Sequence, residues 1–298
     1  MKVYCSRIIV FCFLLTGLKA QVRETESLDF ERPEVWAMRY YAAATLMQGS
    51  GAPPDIEPGQ FAAGLEVANI PHLSRRERTV GFYGTKEENL NKAPILVRPL
   101  LHYGISPRLS ATAGYVPPVE VFSRLRTHLA GISLNYRAFE YGPWSGQLRL
   151  IGQWSEARGD FTVAAEIAGD PNPARNPFGA SEPSRDTFTS WTSSLEVDLA
   201  YRLPTRRPSW AFFNAAYTYA DLAFQVDAHL EGGFHDTARL SSSGDIWSFG
   251  AGLRAGLTEA LSASLMVAYV PLQVRRRPML PRENDPLLNV RLTITLRL

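Results

Sequence analysis

The sequence is poor in cysteine, and Cys5 and Cys12 are the two that it contains. Both lie near the start, where basic residues precede an apolar run at residues 8–18 and a small residue follows. This pattern predicts a secretory signal peptide over residues 1–20. The mature chain would then have no cysteine. Disulfides and thiolate metal sites are thereby excluded, so an exported protein must be stabilised by other means.

Long hydrophobic runs and a strong net charge are also lacking. No run after the signal reaches the roughly 18 apolar residues that a membrane-spanning helix needs. The chain has 31 basic and 29 acidic side chains, and removing residues 1–20 takes away three basic ones, so 28 against 29 leaves a charge of −1. This balance provides no basic field for nucleic acid, and we predict no nucleic-acid partner. The other 278 residues (298 − 20) suffice for one large domain.

The sequence does have a regular alternation of apolar and polar residues, clearest in LLNVRLTITLRL at residues 287–298. A period of two indicates a β-strand with one apolar face. The pattern recurs in segments of about the 9 to 11 residues with which a tilted strand crosses a membrane. With the last segment there are ten: residues 61–69, 95–105, 109–116, 131–138, 147–155, 194–203, 210–226, 245–257, 261–270 and 288–298. In residues 210–226 the phase changes near Asp221, which predicts a β-bulge there.

The connections between these segments alternate in length. Long ones fall at residues 71–93, 117–128, 156–186, 227–244 and 271–286. Short ones fall at residues 106–108, 141–146, 204–209 and 258–260. Tyrosine and tryptophan lie at both ends of the segments: Tyr103, Tyr141, Trp144, Tyr201 and Trp210 near short turns, and Tyr115, Trp154, Tyr219, Trp247 and Tyr269 toward long loops. Long outer loops, short inner turns and two aromatic girdles are typical of bacterial outer-membrane barrels, whereas a soluble sandwich has no reason to sort its loops by parity.

Together these features resemble Gram-negative outer-membrane β-barrel proteins of the porin-like kind. The resemblance implies an all-β fold: an antiparallel transmembrane β-barrel of 10–12 strands with long outer loops and short periplasmic turns. It also implies location in the bacterial outer membrane, contact with the lipid bilayer and lipopolysaccharide, and recognition of the C-terminal strand by the barrel-assembly machinery. In that class the final strand ends in an aromatic residue, and here it ends in Leu298. We expect this strand to face lipid and to close the barrel against the first strand.

The region before residue 61 has two interpretations. We assign residues 21–34 to a periplasmic segment and residues 35–298 to the barrel. Residues 35–58 form either a plug helix, inside the lumen or beneath it in the periplasm, or a first strand, since proline and glutamate precede a run that also alternates. A strand there requires a twelfth, for which RTVGFYG at residues 78–84 is the spare candidate. We favour twelve strands, because Arg39 and Tyr41 would then face a wet interior.

The predicted inner face carries charged and polar side chains, which suit a channel for small solutes with a weak ion preference. We predict that the following side chains line the lumen: Glu66, Arg98, His102, Arg149, Glu196, Asp198, Arg254 and Arg291. The channel is either passive or specific for a substrate, and one form of the second is a channel for an apolar compound with the N-terminal segment as a plug. We predict no cofactor and no metal site.

Two other functions stay open. A barrel enzyme, such as a hydrolase, would have its active site at the outer rim, where one long loop holds Asp227, His229, His235 and Asp236. A histidine and aspartate pair can activate water, although a solvated polar loop has the same composition. A structural or adhesive barrel would instead bind a partner through its loops. In the last loop the arginines at residues 275–277 and Arg282 could bridge lipopolysaccharide phosphates.

Overall fold

The computed structural model describes residues 25–51, 56–120, 125–173, 175–277 and 281–298, so the predicted signal peptide at residues 1–20 lies outside the described chain. Ten long strands dominate these residues. They are β1 (Phe61–Asn69), β2 (Ile95–Gly104), β3 (Leu109–Glu120), β4 (Arg126–Tyr141), β5 (Trp144–Gly159), β6 (Asp186–Arg202), β7 (Ser209–Gln225), β8 (Arg239–Gly256), β9 (Leu261–Val270) and β10 (Leu287–Arg297).

The ten strands form one closed antiparallel barrel. Each strand pairs with the next along the chain, and β10 pairs with β1 with Ile294 opposite Leu65. The predicted antiparallel barrel and its closure by the final strand are therefore confirmed. The preference for twelve strands is wrong.

The candidate first strand is a helix, α1 (Pro33–Thr45). Proline at its first position suits a helix start, and its residues are buried on all sides except Glu34. A helix that is buried all round belongs in an interior, and the charged Arg39 is accommodated there because its Nη1 donates to Phe30 O and Gln273 O. The candidate twelfth strand breaks up into the helical turns α2 (Arg75–Arg78) and α3 (Gly81–Gly84) around the two-residue strand Thr79–Val80.

The outer wall of the barrel is apolar. In β10 Leu288 is 56% exposed and Leu292 is 40% exposed, whereas Arg291 between them is 2% exposed. Side chains of the same outward orientation continue around the barrel: Leu65, Val97, Ile132, Leu134, Leu150, Leu195, Val197, Leu253 and Leu265 are each more than two-fifths exposed. Soluble proteins rarely expose an apolar patch of more than a few hundred Å². A closed antiparallel barrel with such a belt is an outer-membrane β-barrel.

Two local expectations differ from the structure. There is no bulge near Asp221, because β7 pairs with β6 and β8 without a register shift. Leu222 and Phe224 break the apolar pattern because they point inward. Register shifts occur instead in β3 between Val116 and Val119, where two prolines interrupt the ladder, and in β4 between Arg137 and Phe139. In the predicted long loop at residues 117–128, the described residues 117–120 and 126–128 are strand.

The barrel wall is taller on one side. Strands β4 to β8 contain 16 to 18 residues, whereas β1, β2 and β9 contain 9 or 10. The tall strands extend toward the long loops, which carry the remaining short elements. These are the two-residue strands Lys86–Glu87, Ala228–His229, His235–Asp236, Gln273–Val274 and Glu283–Asn284 and the 3-10 turn Glu231–Gly233.

The N-terminal segment enters the barrel from its outer end. Thr25–Ser27 pairs in parallel with Arg239–Ser241, at the long-loop end of β8. Residues 25–34 are therefore not a periplasmic segment below the short turns. No helix of the described residues is long and apolar enough to span a membrane. Trp210, expected in a girdle, instead lies on the inner face near Arg254, whose guanidinium carbon is 5.8 Å from its ring.

Candidate functional site

The inner face of the barrel changes character along the strands. Toward the long loops it is apolar, and we call the following residues the apolar layer: Phe188, Leu222, Ile246, Val270 and Leu287, each at most 3% exposed. Toward the short turns it is charged, and we call the following residues the charged layer: Glu66, Arg98, Arg149, Glu196, Asp198 and Arg291. The layers surround α1 and the residues that follow it, and we call residues 25–51 the plug segment.

Helix α1 fills the apolar layer. Its aromatic side chains pack there while their polar atoms bond to backbone carbonyls of the outer loops. Tyr40 Oη donates to Pro71 O at 2.5 Å, and Trp36 Nε1 donates to Asp285 O at 3.2 Å. Tyr41 lies against Phe188, with their ring centroids 6.1 Å apart. The helix therefore joins the loops at residues 70–94 and 271–286 to the tall strands.

The charged layer holds the extended end of the plug segment. Arg98 donates to the carbonyls of Thr45 at 3.2 Å and Leu46 at 3.1 Å. Gly49 N donates to Glu196 Oε1 at 2.9 Å. Arg149 Nη2 donates to Gly51 O at 2.8 Å. Since each contact uses a backbone group of the plug segment, the charged layer binds its backbone rather than its side chains.

The same charged groups pair with each other. Arg98 Nη2 is 2.5 Å from Glu66 Oε1, and Arg291 Nη1 is 3.8 Å from the same oxygen. Arg149 is 3.5 Å from Glu196 and 3.0 Å from Asp198. Buried charges need such partners, because an unpaired charge in a dry interior is costly.

All eight side chains predicted to line the lumen lie on the inner face. Six of them form the charged layer. His102 lies closer to the short turns, where its Nδ1 is 2.9 Å from Thr112 Oγ1, and Arg254 Nη2 donates to Ser262 Oγ at 3.1 Å. Their role in permeation stays a prediction. The plug segment occupies the space that the channel hypothesis leaves for solute.

An apolar cavity of about 310 Å³, the outer cavity, lies beside α1 at the long-loop end. It has three walls: α1 with the turn at residues 80–83, the loop at residues 160–185, and the end of β7 with its following loop. Its aromatic lining consists of Tyr41, Phe82, Tyr83, Phe161, Phe178, Phe188 and Phe224. The sequence contains one signal for this cavity, the phase change that places Phe224 on the inner face and that by itself predicts a bulge.

The rim of the outer cavity is a strained turn. Phe82 and Tyr83 have φ values of +47° and +60°, the left-handed region that bulky residues rarely adopt. Tyr83 N donates to Glu34 Oε1 at 2.7 Å, and the guanidinium of Arg32 lies 3.6 Å from the Tyr83 ring centroid. Phe82 contacts Phe178 across the opening, with ring centroids 5.5 Å apart. Such strain persists where surrounding contacts hold it, often at ligand sites.

Most charged side chains on the cavity lining have a charged partner, whereas Asp236 Oδ1 accepts a hydrogen bond from the backbone N of Ala238. Lys86 Nζ is 2.8 Å from Glu88 Oε2 and donates to Thr162 O at 2.6 Å. Arg32 pairs with Glu34 at 2.9 Å. Burial raises the pKa of Glu88 to about 8, although the positive charge of Lys86 acts to lower it. Most of the surface that a ligand meets is nevertheless apolar carbon.

The candidate catalytic residues and the arginine-rich loop take other positions. Asp227, His229 and His235 come together on the outer surface, whereas Asp236 lines the outer cavity. In the last loop Arg275 Nη2 donates to Glu31 Oε2 at 2.8 Å, and Arg282 pairs with the same carboxylate. These arginines thus bind the plug segment.

No protein-family model matches the sequence, and no curated protein matches it. The chain is similar to several solved outer-membrane proteins. The outer membrane protease OmpT from Escherichia coli has 7% identity and a TM-score of 0.42, over 80% of this chain and 94% of that chain. The Pseudomonas putida toluene transporter TodX has 12% identity and a TM-score of 0.31, over 92% and 73%. The attachment invasion locus protein Ail of Yersinia pestis has 11% identity and a TM-score of 0.29, over 81% and 99%.

Proposed function

We propose that this protein is a substrate-specific channel that takes up a small apolar compound and is closed at rest by its own plug segment. The observation that carries the proposal is the outer cavity, which is aromatic, directly beside the plug, and at the end of the barrel with the long loops. Of the passive and substrate-specific channels predicted from the sequence, this geometry favours the second.

The size and polarity of the outer cavity define the class of ligand. An apolar cavity of about 150 Å³ holds benzene, so about 310 Å³ accommodates a molecule with about twice as many carbon atoms. Most charged side chains at its edge are paired with each other, as Lys86 is with Glu88. A compound with an ionised group would have to break such a pair. The ligand is therefore a hydrocarbon-like molecule such as a bicyclic arene.

The contacts of the plug segment suit a closure that can be reversed. Its end in the charged layer is bound by hydrogen bonds to residues such as Arg98 and Glu196, which water can replace. Among the described residues, the Gln48 amide and the Nε2 of His102 have no hydrogen-bond partner in the protein. Buried polar groups of this kind commonly bind water. Displacement of residues 45–51 would therefore open a polar path below the cavity.

The proposal includes the location and assembly of the protein. Export by the predicted signal at residues 1–20 would deliver the chain to the outer membrane, and the alternating strand β10 would engage the barrel-assembly machinery. Lipopolysaccharide would surround the outer aromatic girdle. Surface labelling of residues in the loop at 226–238 on intact cells tests the orientation.

The first experiment measures binding of radiolabelled naphthalene to the full chain in lipid nanodiscs, with empty nanodiscs subtracted. We expect saturable binding to one site. The variant Ala37→Phe places a ring inside the outer cavity and should abolish binding, because Ala37 is on the cavity lining. Ala130→Phe adds the same ring on the lipid-facing side of β4 and should leave binding unchanged. Absence of saturable binding above empty nanodiscs would overturn the proposal.

Transport is tested by locking the plug. Met47 Sδ is 3.1 Å from the position that a Cβ on Gly131 would take. Met47→Cys and Gly131→Cys in one chain therefore place two thiols close together, and no cysteine lies outside residues 1–20 to interfere. Joining them with a short, reducible crosslinker should stop naphthalene uptake by cells, and reduction should restore it. Uptake that is the same in both states would show that the plug does not gate transport.

A further inference from the structure

The loop after β7 brings two histidines together on a short ribbon. Ala228–His229 pairs antiparallel with His235–Asp236, and His229 lies directly opposite His235. Directly opposed side chains point to the same face. The imidazole rings are parallel, with centroids 4.2 Å apart and an angle of 11° between planes. Gly232 and Gly233, with φ of +71° and +76°, make the tight turn that joins the two strands.

Two carboxylates face these rings from different parts of the chain. Asp227 Oδ1 is 2.6 Å from His235 Nε2, and Glu182 Oε1 is 3.6 Å from His229 Nε2. Asp227 precedes the ribbon, whereas Glu182 belongs to the loop at residues 160–185. The site is open to solvent, because the His229 and His235 side chains are 50% and 43% exposed.

The separations of these atoms are close to those of a metal coordination sphere. One ligand atom each from Asp227, His229 and His235 lies within 4.8 Å of the other two. Bond lengths of about 2.0–2.1 Å to zinc put tetrahedral ligands roughly 3.3 Å apart. Rotations of the exposed side chains are enough to bring the ligand atoms to this separation. Glu182 is within reach as the fourth ligand.

The backbone around the cluster is fixed before any ion binds. Asp227 N donates to Asp186 Oδ1 at 3.0 Å, and Arg185 N donates to Asp227 O at 2.8 Å. These bonds hold the two loops at a set distance. The Arg185 guanidinium, 3.7 Å from Glu182, is the cation that a metal would displace. Its side chain is 79% exposed and can move into solvent.

We propose that Asp227, His229, His235 and Glu182 bind one divalent transition metal ion of the zinc class, joining the loops at residues 160–185 and 226–238. Two imidazoles and two carboxylates match the nitrogen and oxygen donors that zinc accepts, and the carboxylates neutralise its charge. The site departs from the absence of metal expected from the sequence, where Asp227, His229 and His235 were considered as catalytic residues. It does not depend on the proposed channel function.

The test is isothermal titration calorimetry, in which zinc chloride is titrated into the tag-free full chain in nanodiscs. We expect one zinc ion per chain. His229→Ala and His235→Ala should each weaken binding at least about 100-fold, since loss of an outer-shell partner alone costs 10–100-fold. His128→Ala is the matched control, because His128 contacts Tyr115 and Trp154 at another part of the barrel and should leave zinc binding unchanged.

Cobalt chloride provides a second readout, since the visible spectrum of Co²⁺ depends on its coordination geometry. A tetrahedral spectrum that is lost in His235→Ala and changed in Glu182→Gln supports the four-ligand site. Heat-dependent gel mobility confirms that each variant is a folded barrel. The proposal is overturned if folded protein binds no stoichiometric zinc, or if binding survives both histidine substitutions.

Discussion

The apolar layer and the charged layer hold the plug segment by different kinds of contact. At the outer end, side chains such as Leu222 and Ile246 bury α1 in apolar contact. At the inner end, the barrel strands present charged groups such as Glu196 to the backbone of residues 45–51. Within β6 the change occurs over eight residues, from Phe188 to Glu196. The apolar layer holds α1 by apolar packing, and the charged layer holds residues 45–51 by hydrogen bonds.

This difference determines which end of the plug segment can move. Each fully buried aliphatic or aromatic side chain contributes about 1.5–3 kcal/mol that is lost on exposure to water. A buried ion pair contributes little net stability, because desolvation offsets attraction. Water entering the charged layer would therefore replace the hydrogen bonds to residues 45–51 at low cost. Water cannot replace the apolar contacts of α1 in this way. We infer that the plug opens at residues 45–51 while α1 stays in place.

Arg98→Ala is the strongest way to break the charged layer. It leaves Glu66 facing Arg291 alone at 3.8 Å and removes two bonds to the plug. Loss of one member of a buried pair costs about 3–5 kcal/mol. We expect that drop in the free energy of unfolding, measured by denaturant titration in detergent, together with brief openings in a planar bilayer where the wild type is silent. Arg108→Ala, in an exposed turn, should change neither quantity.

Leu222→Ala tests the apolar layer. Leu222 is fully buried, and truncating a core leucine costs about 2–5 kcal/mol. The loss of stability should occur without channel openings, because the charged layer is intact. Leu150→Ala removes the same atoms from the outer wall, where lipid fills the space, and should cost less. Openings in Leu222→Ala would contradict the assignment of gating to the charged layer.

Gly49→Ala is a smaller perturbation of the charged layer. A Cβ on Gly49 would overlap Arg149 Nη1 and would be 2.5 Å from Glu196 Oε1, so both side chains must shift. Overpacking of this kind costs about 1–3 kcal/mol. We expect a lower unfolding midpoint and rare openings. Gly152→Ala is the control, since nothing lies within 4 Å of its added Cβ. Equal effects of the two substitutions would show that the contact of Gly49 has no special role.

The barrel could be predicted from the sequence because its strands obey one rule throughout. Every second residue faces lipid, so the period of two fixes the strands and their orientation. The plug could not be predicted in the same way. Trp36, Met38 and Tyr40 alternate as a strand would, and inside a lumen they need no polar stripe that would mark a helix. Burial inside the barrel, which the sequence pattern does not show, makes this segment a helix rather than a strand.

The candidate sites show the same limit. Arg98 and Glu66 could be assigned to the inner face from parity alone, but the bonds of Arg98 to residues 45–46 depend on where the plug lies. The outer cavity is built by loops and α1, whose positions no periodicity encodes. Phe188 and Leu222 are nevertheless informative in retrospect. Apolar residues in the inward phase at the outer end of a barrel strand indicate that something apolar is packed inside.

The smallest expected effect concerns pH and the wall of the outer cavity. Burial raises the pKa of Glu88 from its ordinary value of 4.5 to about 8. The folded chain then binds a proton more tightly than the unfolded chain. The stability that this provides is fully present below pH 4.5 and is lost as pH rises toward about 8. Glu88→Gln should therefore flatten the fall of the thermal unfolding midpoint over this range.

Glu87→Gln provides the matched control for that measurement. Glu87 is the neighbouring residue, 36% exposed, and pairs with Arg75 and Arg78 on the surface. Its loss should leave the pH dependence unchanged, because exposed pairs contribute little. If the wild-type midpoint instead rises with pH, Lys86 keeps Glu88 ionised and the pair behaves as the charged layer does. Lys86 and Glu88 would then be an ion pair at the outer end of the barrel. The outer end could no longer be described as held by apolar packing alone.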